Sequence, residues 1–130
     1  MTDMMMTIYN ELIKHETIKS LVTKNRIKFY EAPETMDTSK PFIIIEPLGV
    51  PVGVTYGSDK ELSQRLTYQI NVEAPKRQQV KEIQLAAKQV MRNLRFFQMP
   101  GGLDEYFSGT KRYVDARRYR TTTKLYDNNY

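Results

Sequence analysis

Between Arg65 and Arg95 the hydrophobic period of the chain changes from about two residues to about 3.6, and no other feature restricts its fold as much. Leu66, Tyr68, Ile70 and Val72 occupy one side of an alternation whose other side holds Arg65, Thr67, Gln69, Asn71 and Glu73, which is the pattern of a half-buried strand. After Ala74 and Pro75, Val80, Ile83, Ala87, Val90, Met91 and Leu94 fall on one helical stripe, with Lys81, Lys88, Arg92 and Arg95 largely outside it. One sheet face and one helix face are thus made side by side, and each needs the other to be buried. The expectation is an α+β fold: a mixed or antiparallel sheet of about four strands, two main helices packed on one face, and a protruding hairpin or loop.

The 130 residues suit a single domain, 1–130, large enough to bury a core without a metal or disulfide. There is no cysteine and only one histidine, His15, so neither a thiolate nucleophile nor a zinc constellation can be assembled. No apolar run approaches the roughly 20 residues of a membrane span, and Met1 to Asn10 lacks the basic end and apolar core of a secretory signal. The product is expected to be soluble where it is made, with no membrane partner.

Before the central unit, Thr2 or Asp3 can cap a helix with Met5, Ile8, Tyr9, Leu12 and Ile13 on one stripe. The stripe shifts phase near His15 to Thr17, so the helix is expected to break there and resume with Ile18, Leu21 and Val22; His15 reads as a capping or surface residue. Ile27 to Glu31 alternates as a short strand. Phe42 to Ile45 is a continuous apolar run, suited to a strand covered on both faces. Pro47, Gly49, Pro51, Gly53 and Gly57 then punctuate a hairpin or long loop over residues 47–62, in which Val50, Val52 and Val54 alternate and Tyr56 follows. After the central helix, Phe96, Phe97, Met99, Leu103, Tyr106 and Phe107 crowd around Pro100, Gly101 and Gly102. They are read as an aromatic loop that either folds under the helix, the favoured reading, or lies against a neighbouring subunit.

The last strand begins near Lys111. Val114 and Ala116 are read as its core face, with Arg118, Arg120 and Lys124 further along that face, and residues 117–130 as a candidate C-terminal arm. The formal charge of +5 is concentrated here: Lys111, Arg112, Arg117, Arg118, Arg120 and Lys124 against Asp115 and Asp127 give +4. Such a segment either contacts something acidic or is a solvated strand kept soluble by its arginines. With Tyr113, Tyr119 and Tyr126 it could neutralise phosphates and stack bases, or serve a protein interface, where arginine and tyrosine are also favoured. Candidate contact residues are therefore Val50, Val52, Val54 and Tyr56 in the glycine-rich segment, and Arg112, Arg117, Arg118, Tyr119, Arg120 and Lys124 in the last strand.

Catalytic spacings are scarce. The glycines at 49, 53 and 57 lack the lysine and hydroxyl of a phosphate loop, and Gly101 and Gly102 follow a helix where a dinucleotide turn would precede one. Asp37, Glu46, Glu73 and Lys76 form the best metal-dependent nuclease candidate, yet scattered carboxylates are expected in a chain with 15 acidic residues. We expect no enzymatic activity and no cofactor.

Several segments together carry a family resemblance: the first helix with Ile8 and Leu12, FYEAPE at 29–34, PFIIIEPL at 41–48, RLTYQINVEA at 65–74 before a helix, and KRYVDARRYR at 111–120. The chain resembles the tail-terminator or tail-completion proteins, also called head-to-tail joining proteins, of long-tailed bacteriophages, over nearly its whole length. The resemblance implies a virion structural protein made in the bacterial cytoplasm and placed at the tail-head junction. It implies a homo-oligomeric ring, of six copies, that caps the tail tube, ends its polymerisation and meets a head connector or stopper protein. No catalytic residues carry over. Another small neck protein of the virion, or a nucleic-acid-binding module making non-specific DNA contacts through the basic strand, are the alternatives.

Overall fold

The computed structural model describes the backbone of residues 4–49, 52–57 and 60–124, and the side chains of these apart from 52–57, 60–64 and 123–124. The elements in chain order are α1 (Met4–Lys14), α2 (Glu16–Leu21), a 3-10 turn (Lys24–Arg26), β1 (Ile27–Phe29), β2 (Phe42–Pro47), β3 (Val52–Gly57), β4 (Lys60–Ala74), α3 (Arg77–Asn93), β5 (Phe97–Phe107) and β6 (Arg112–Lys124). The fold is α+β, with a single mixed sheet of six strands instead of about four.

The sheet order is β1-β2-β4-β6-β5, with β3 also paired to β4. β1 runs parallel to β2, and every other pairing is antiparallel. β4 is the spine. Along one of its edges β2 pairs with Tyr68 to Glu73 and β3 with Lys60 to Arg65, while β6 runs the length of the other edge from Ser63 to Ala74. The glycine-rich segment is therefore a hairpin whose second strand continues directly into the central strand.

Helices α1 and α3 cover one face. Leu66, Tyr68, Ile70, Val72 and Ala74 of β4 meet Ile8, Leu12, Val80, Ile83, Ala87, Val90 and Met91 in one continuous core, joined by Ile43 and Ile45 of β2. Each large aliphatic side chain buried this way contributes roughly 1.5–3 kcal/mol. Both periods of the central unit are thus used as read. The helix break is also present: the backbone leaves the helix at His15, whose Nδ1 accepts from Thr17 N at 3.2 Å as the α2 cap while Nε2 lies 2.9 Å from Gln89 Oε1. Phe42, Ile43, Ile44 and Ile45 are all buried, as a strand inside the sheet requires.

Three expectations are corrected. The aromatic segment after α3 is a strand, β5, because its Pro100–Gly101 pair is absorbed as a two-residue bulge: Met99 faces Arg118 and Gly102 faces Arg117. Gly101 and Gly102 take φ of +99° and +118°, open to glycine and strained for other residues. The faces of β6 are the reverse of those read from Val114 and Ala116. Tyr113, Asp115, Arg117 and Tyr119 oppose Ala74, Val72, Ile70 and Tyr68 and so point toward the helices, which leaves Val114, Ala116, Arg118 and Arg120 on the open face. Finally, of the segment 117–130 read as an arm, Arg117 to Lys124 is paired along β4, and 125–130 lie outside the described residues.

Candidate interface on the open sheet face and its β5 edge

Asp115 is the polar centre of the helix-facing side. It is 1% exposed and accepts from Lys81 Nζ at 2.8 Å, from Arg117 Nε at 3.0 Å and from Arg117 Nη2 at 3.2 Å. Lys81 also reaches Asp104 on β5 at 2.5 Å, so one lysine of α3 ties together the two last strands of the sheet. Burial works against the charges of Lys81 and Arg117, but their hydrogen bonds to these carboxylates outweigh it and hold both pKa values above the ordinary ones. Asp104 is held below the usual carboxylate range, chiefly by its bond from Lys81. Gln84, fully buried, donates from Nε2 to the carbonyls of Asp115 (2.8 Å) and Ile70 (3.1 Å). This cluster fixes the helix on the sheet. Its partners are internal, and it is an anchor rather than a contact surface.

The open face carries a different chemistry. Glu46 Oε1 accepts from Gln69 Nε2 and Asn71 Nδ2, each at 3.0 Å, and Gln69 Nε2 also lies 2.8 Å from Asn71 Oδ1. The ladder continues onto β6, where Arg118 Nε donates to Gln69 Oε1 at 3.1 Å and Arg120 Nε to Thr67 Oγ1 at 3.2 Å. Each arginine commits only its Nε to the sheet. Neither forms an ion pair among the described residues, so the outer guanidinium nitrogens remain available. These cross-strand bonds hold the side chains, and so the charge, at fixed positions on the sheet.

At one margin of this face lies β5, the terminal strand, with one backbone edge open. Phe97, Tyr106 and Phe107 are 58%, 50% and 40% exposed, while the adjacent Phe96 is fully buried against Tyr68 with ring centroids 5.8 Å apart. Phe96 thus folds under the helix, but the favoured reading placed the whole aromatic segment there, and the other three rings stay at the surface. Phe97, opposite Arg120, and Phe107, opposite Arg112, are on the open face, whereas Tyr106 opposes Tyr113 on the helix-facing side with ring centroids 4.7 Å apart. An open strand edge with Phe97 beside unpaired arginines matches the composition of protein interfaces.

The predicted contact residues divide. Arg118 and Arg120 lie on the open face. Arg117 is drawn inward by Asp115. Tyr119 is corrected outright: it is 0% exposed inside the core, its hydroxyl buried without a hydrogen-bond partner and its pKa pushed up to about 12 by burial. Arg112 is likewise withdrawn, 4% exposed, with its guanidinium 5.0 Å from the Phe42 ring centroid and Nη2 donating to the Lys40 carbonyl at 3.4 Å. Burial lowers its pKa. Val52, Val54 and Tyr56 belong to β3 and Lys124 ends β6. Val50 lies outside the described residues. Sequence reasoning missed Gln69 and Arg65 as contact residues, although the alternation of β4 already placed them opposite the core, and it met Phe97 only as one ring of the aromatic segment.

The nuclease candidates are not gathered. Asp37 sits in the β1–β2 connection, its pKa lowered by hydrogen bonds from Ser39. Glu46 pairs in register with Gln69, four residues and so about 13 Å along β4 from Glu73, and Lys76 is exposed at the start of α3. Burial raises the Glu73 pKa, partly offset by Arg112. Among the described residues no group of three histidine, aspartate or glutamate side chains is placed to hold a metal ion, and no helix is long and apolar enough to cross a membrane. No protein-family model matches the chain, and a search among curated proteins finds no relative.

Proposed function

We propose that this chain is a structural assembly protein, a phage tail terminator that works as a ring of six copies. The ring caps the tail tube, ends its polymerisation and joins it to a head connector or stopper protein. The observation that carries the reading is the open β5 edge, with Phe97 exposed beside the Arg118 and Arg120 row and Phe107 exposed on the same face at the far end of the strand. A ring requires a heterologous contact, one patch meeting a different patch on the next copy, and a sheet with two unlike edges supplies two such patches. At the far edge stand the three residues of β1 and the Tyr30 to Pro41 connection, which Arg26 braces by donating to the carbonyls of Pro41 (2.9 Å), Lys40 (2.7 Å) and Asp37. The sequence resemblance supports the tail-terminator assignment, and the sheet supports an assembly role for it.

The test is direct. Sedimentation and negative-stain imaging of the purified protein, alone and with tail tubes, should give rings or capped tubes. A double variant, Phe97→Asp with Phe107→Asp, should abolish them while circular dichroism stays unchanged. A strict monomer that neither forms rings nor binds tubes overturns the proposal.

A further inference from the structure

The strands of the sheet do not end together. β5 begins at Phe97, opposite Arg120, while β6 continues to Lys124 with β4 on its other side. Past Arg120 the sheet therefore steps down, exposing the flank of β6, and the turn from α3 passes beside the step. The concavity there measures about 540 Å³, within the range that holds a small ligand. Arg65 of β4, Arg95 of the turn and Arg120 of β6 all line it, with Phe97, Met99 and Thr122.

Three arginines from three separate elements line the concavity, and no carboxylate is among the described residues that do. None of the three forms an ion pair among the described residues. Arg95 is also held in a left-handed conformation, φ +66°, in the position after a helix where glycine is favoured, and its carbonyl accepts from Thr121 Oγ1 at 2.8 Å. That bond pins the turn to β6 and sets Arg95 over the step. A cation near a helix C-terminus is favourable whatever its use. This does not account for Arg65 and Arg120, which come to the same place from the open sheet face and repel it.

We infer that the step binds a single strand of nucleic acid, with phosphates on Arg65, Arg95 and Arg120 and a base against the Phe97 ring. Like charges lining one concavity, with no counter-charge among the described residues there, suit a ligand with several negative charges in a row, which a phosphate backbone provides. Phe97 decides for nucleic acid over an acidic peptide: its ring is more than half exposed beside the arginines, a stacking platform that carboxylates do not use. Phe97 and Arg120 also belong to the edge contact proposed above, so the site is one of the free subunit, and Arg65 and Arg95, which that contact does not use, let the two proposals fail separately.

The probe is a fluorescein-labelled 20-residue oligothymidine, followed by anisotropy from about 50 mM salt upward. Replacing Arg65, Arg95 and Arg120 with glutamine should weaken binding at least tenfold and lower the slope of log K against log salt by about 2, at roughly 0.7 for each phosphate no longer neutralised. Phe97→Ala should weaken binding about five- to tenfold with the slope unchanged, as loss of stacking without loss of charge. Absence of wild-type binding at 50 mM salt overturns the inference. So does an equal loss in a control variant with Lys19, Lys24 and Lys76 replaced by glutamine, and so does equal binding of a DNA duplex or of polyglutamate. Circular dichroism establishes that each variant is folded; should the triple variant unfold, Arg95→Gln and Phe97→Ala, both at exposed positions, decide by the same criteria.

Discussion

β6 is one strand with two chemistries. On its helix-facing side Asp115 and Arg117 pair with one another and with Lys81, each charge with a partner within 3.2 Å, and the Tyr119 ring is packed in the core. On its open side Arg118 and Arg120 use a single nitrogen each and keep the rest free. The difference teaches where to look for function. Polar groups that the fold has already paired hold it together, and those it has braced but left unpaired can act on something else. Removing a group of the first kind should cost stability, and removing one of the second kind should cost only binding.

The sharpest separation comes from two neighbours. Phe96→Ala should destabilise by about 3–5 kcal/mol in urea denaturation, because it empties a fully buried site against Tyr68. Phe97→Ala should stay within about 0.5 kcal/mol. Equal losses would mean that the open face is as structural as the core. Next in size, Asp115→Ala should cost about 2–4 kcal/mol, since it leaves Lys81 and Arg117 facing a buried hole; both are partly exposed and can turn toward water, which keeps the loss below that of a fully buried pair. Arg118→Gln, by contrast, should be nearly silent.

Gly102→Ala should cost about 2 kcal/mol or more. A Cβ there would stand 2.2 Å from the Ala116 carbonyl oxygen, on a backbone with φ +118°, and relief would require β5 to part from β6. Gly109→Ala, with nothing within 4 Å, is the control. The smallest effect belongs to Glu73→Gln. Burial raises the folded pKa of Glu73 above its ordinary 4.5, so the ionised carboxylate disfavours the native state once the pH exceeds both values. The variant should therefore melt slightly higher than wild type at pH 7, and the advantage should disappear as the pH falls below 4.5. A variant that melts lower at pH 7 would show that Arg112 depends on that charge.

The central strand and helix were legible in the sequence because each holds its period long enough for one face to be unambiguous. The break at His15 was legible as a phase shift. The face of β6 was not, because Asp115 and Arg117 look like solvent residues until Lys81, 34 residues earlier in the chain, is brought to them; a charge is buried only with its partner, and sequence spacing does not announce that partner. Val114 and Ala116 then gave the wrong apolar signal. β5 was hidden by Pro100, Gly101 and Gly102, which mark a loop in most settings and here mark a bulge. Of the candidate interface, Arg118 and Arg120 were found by charge alone. Arg65 was seen only in the alternation of the central strand, and Phe97 only as one ring of an aromatic loop read as folding under the helix or lying against a neighbouring subunit.

The bulge has a further effect on what the β5 edge will accept. An uninterrupted open edge of eleven residues would be a template for any extended chain, and copy could add to copy without end. Two residues out of register between Met99 and Gly102 divide it into short runs of three and six, with a proline and two left-handed glycines at the join. An ordinary straight strand can follow either run but not both. A partner strand would have to cross that notch to use the whole edge, which makes open-ended strand addition harder.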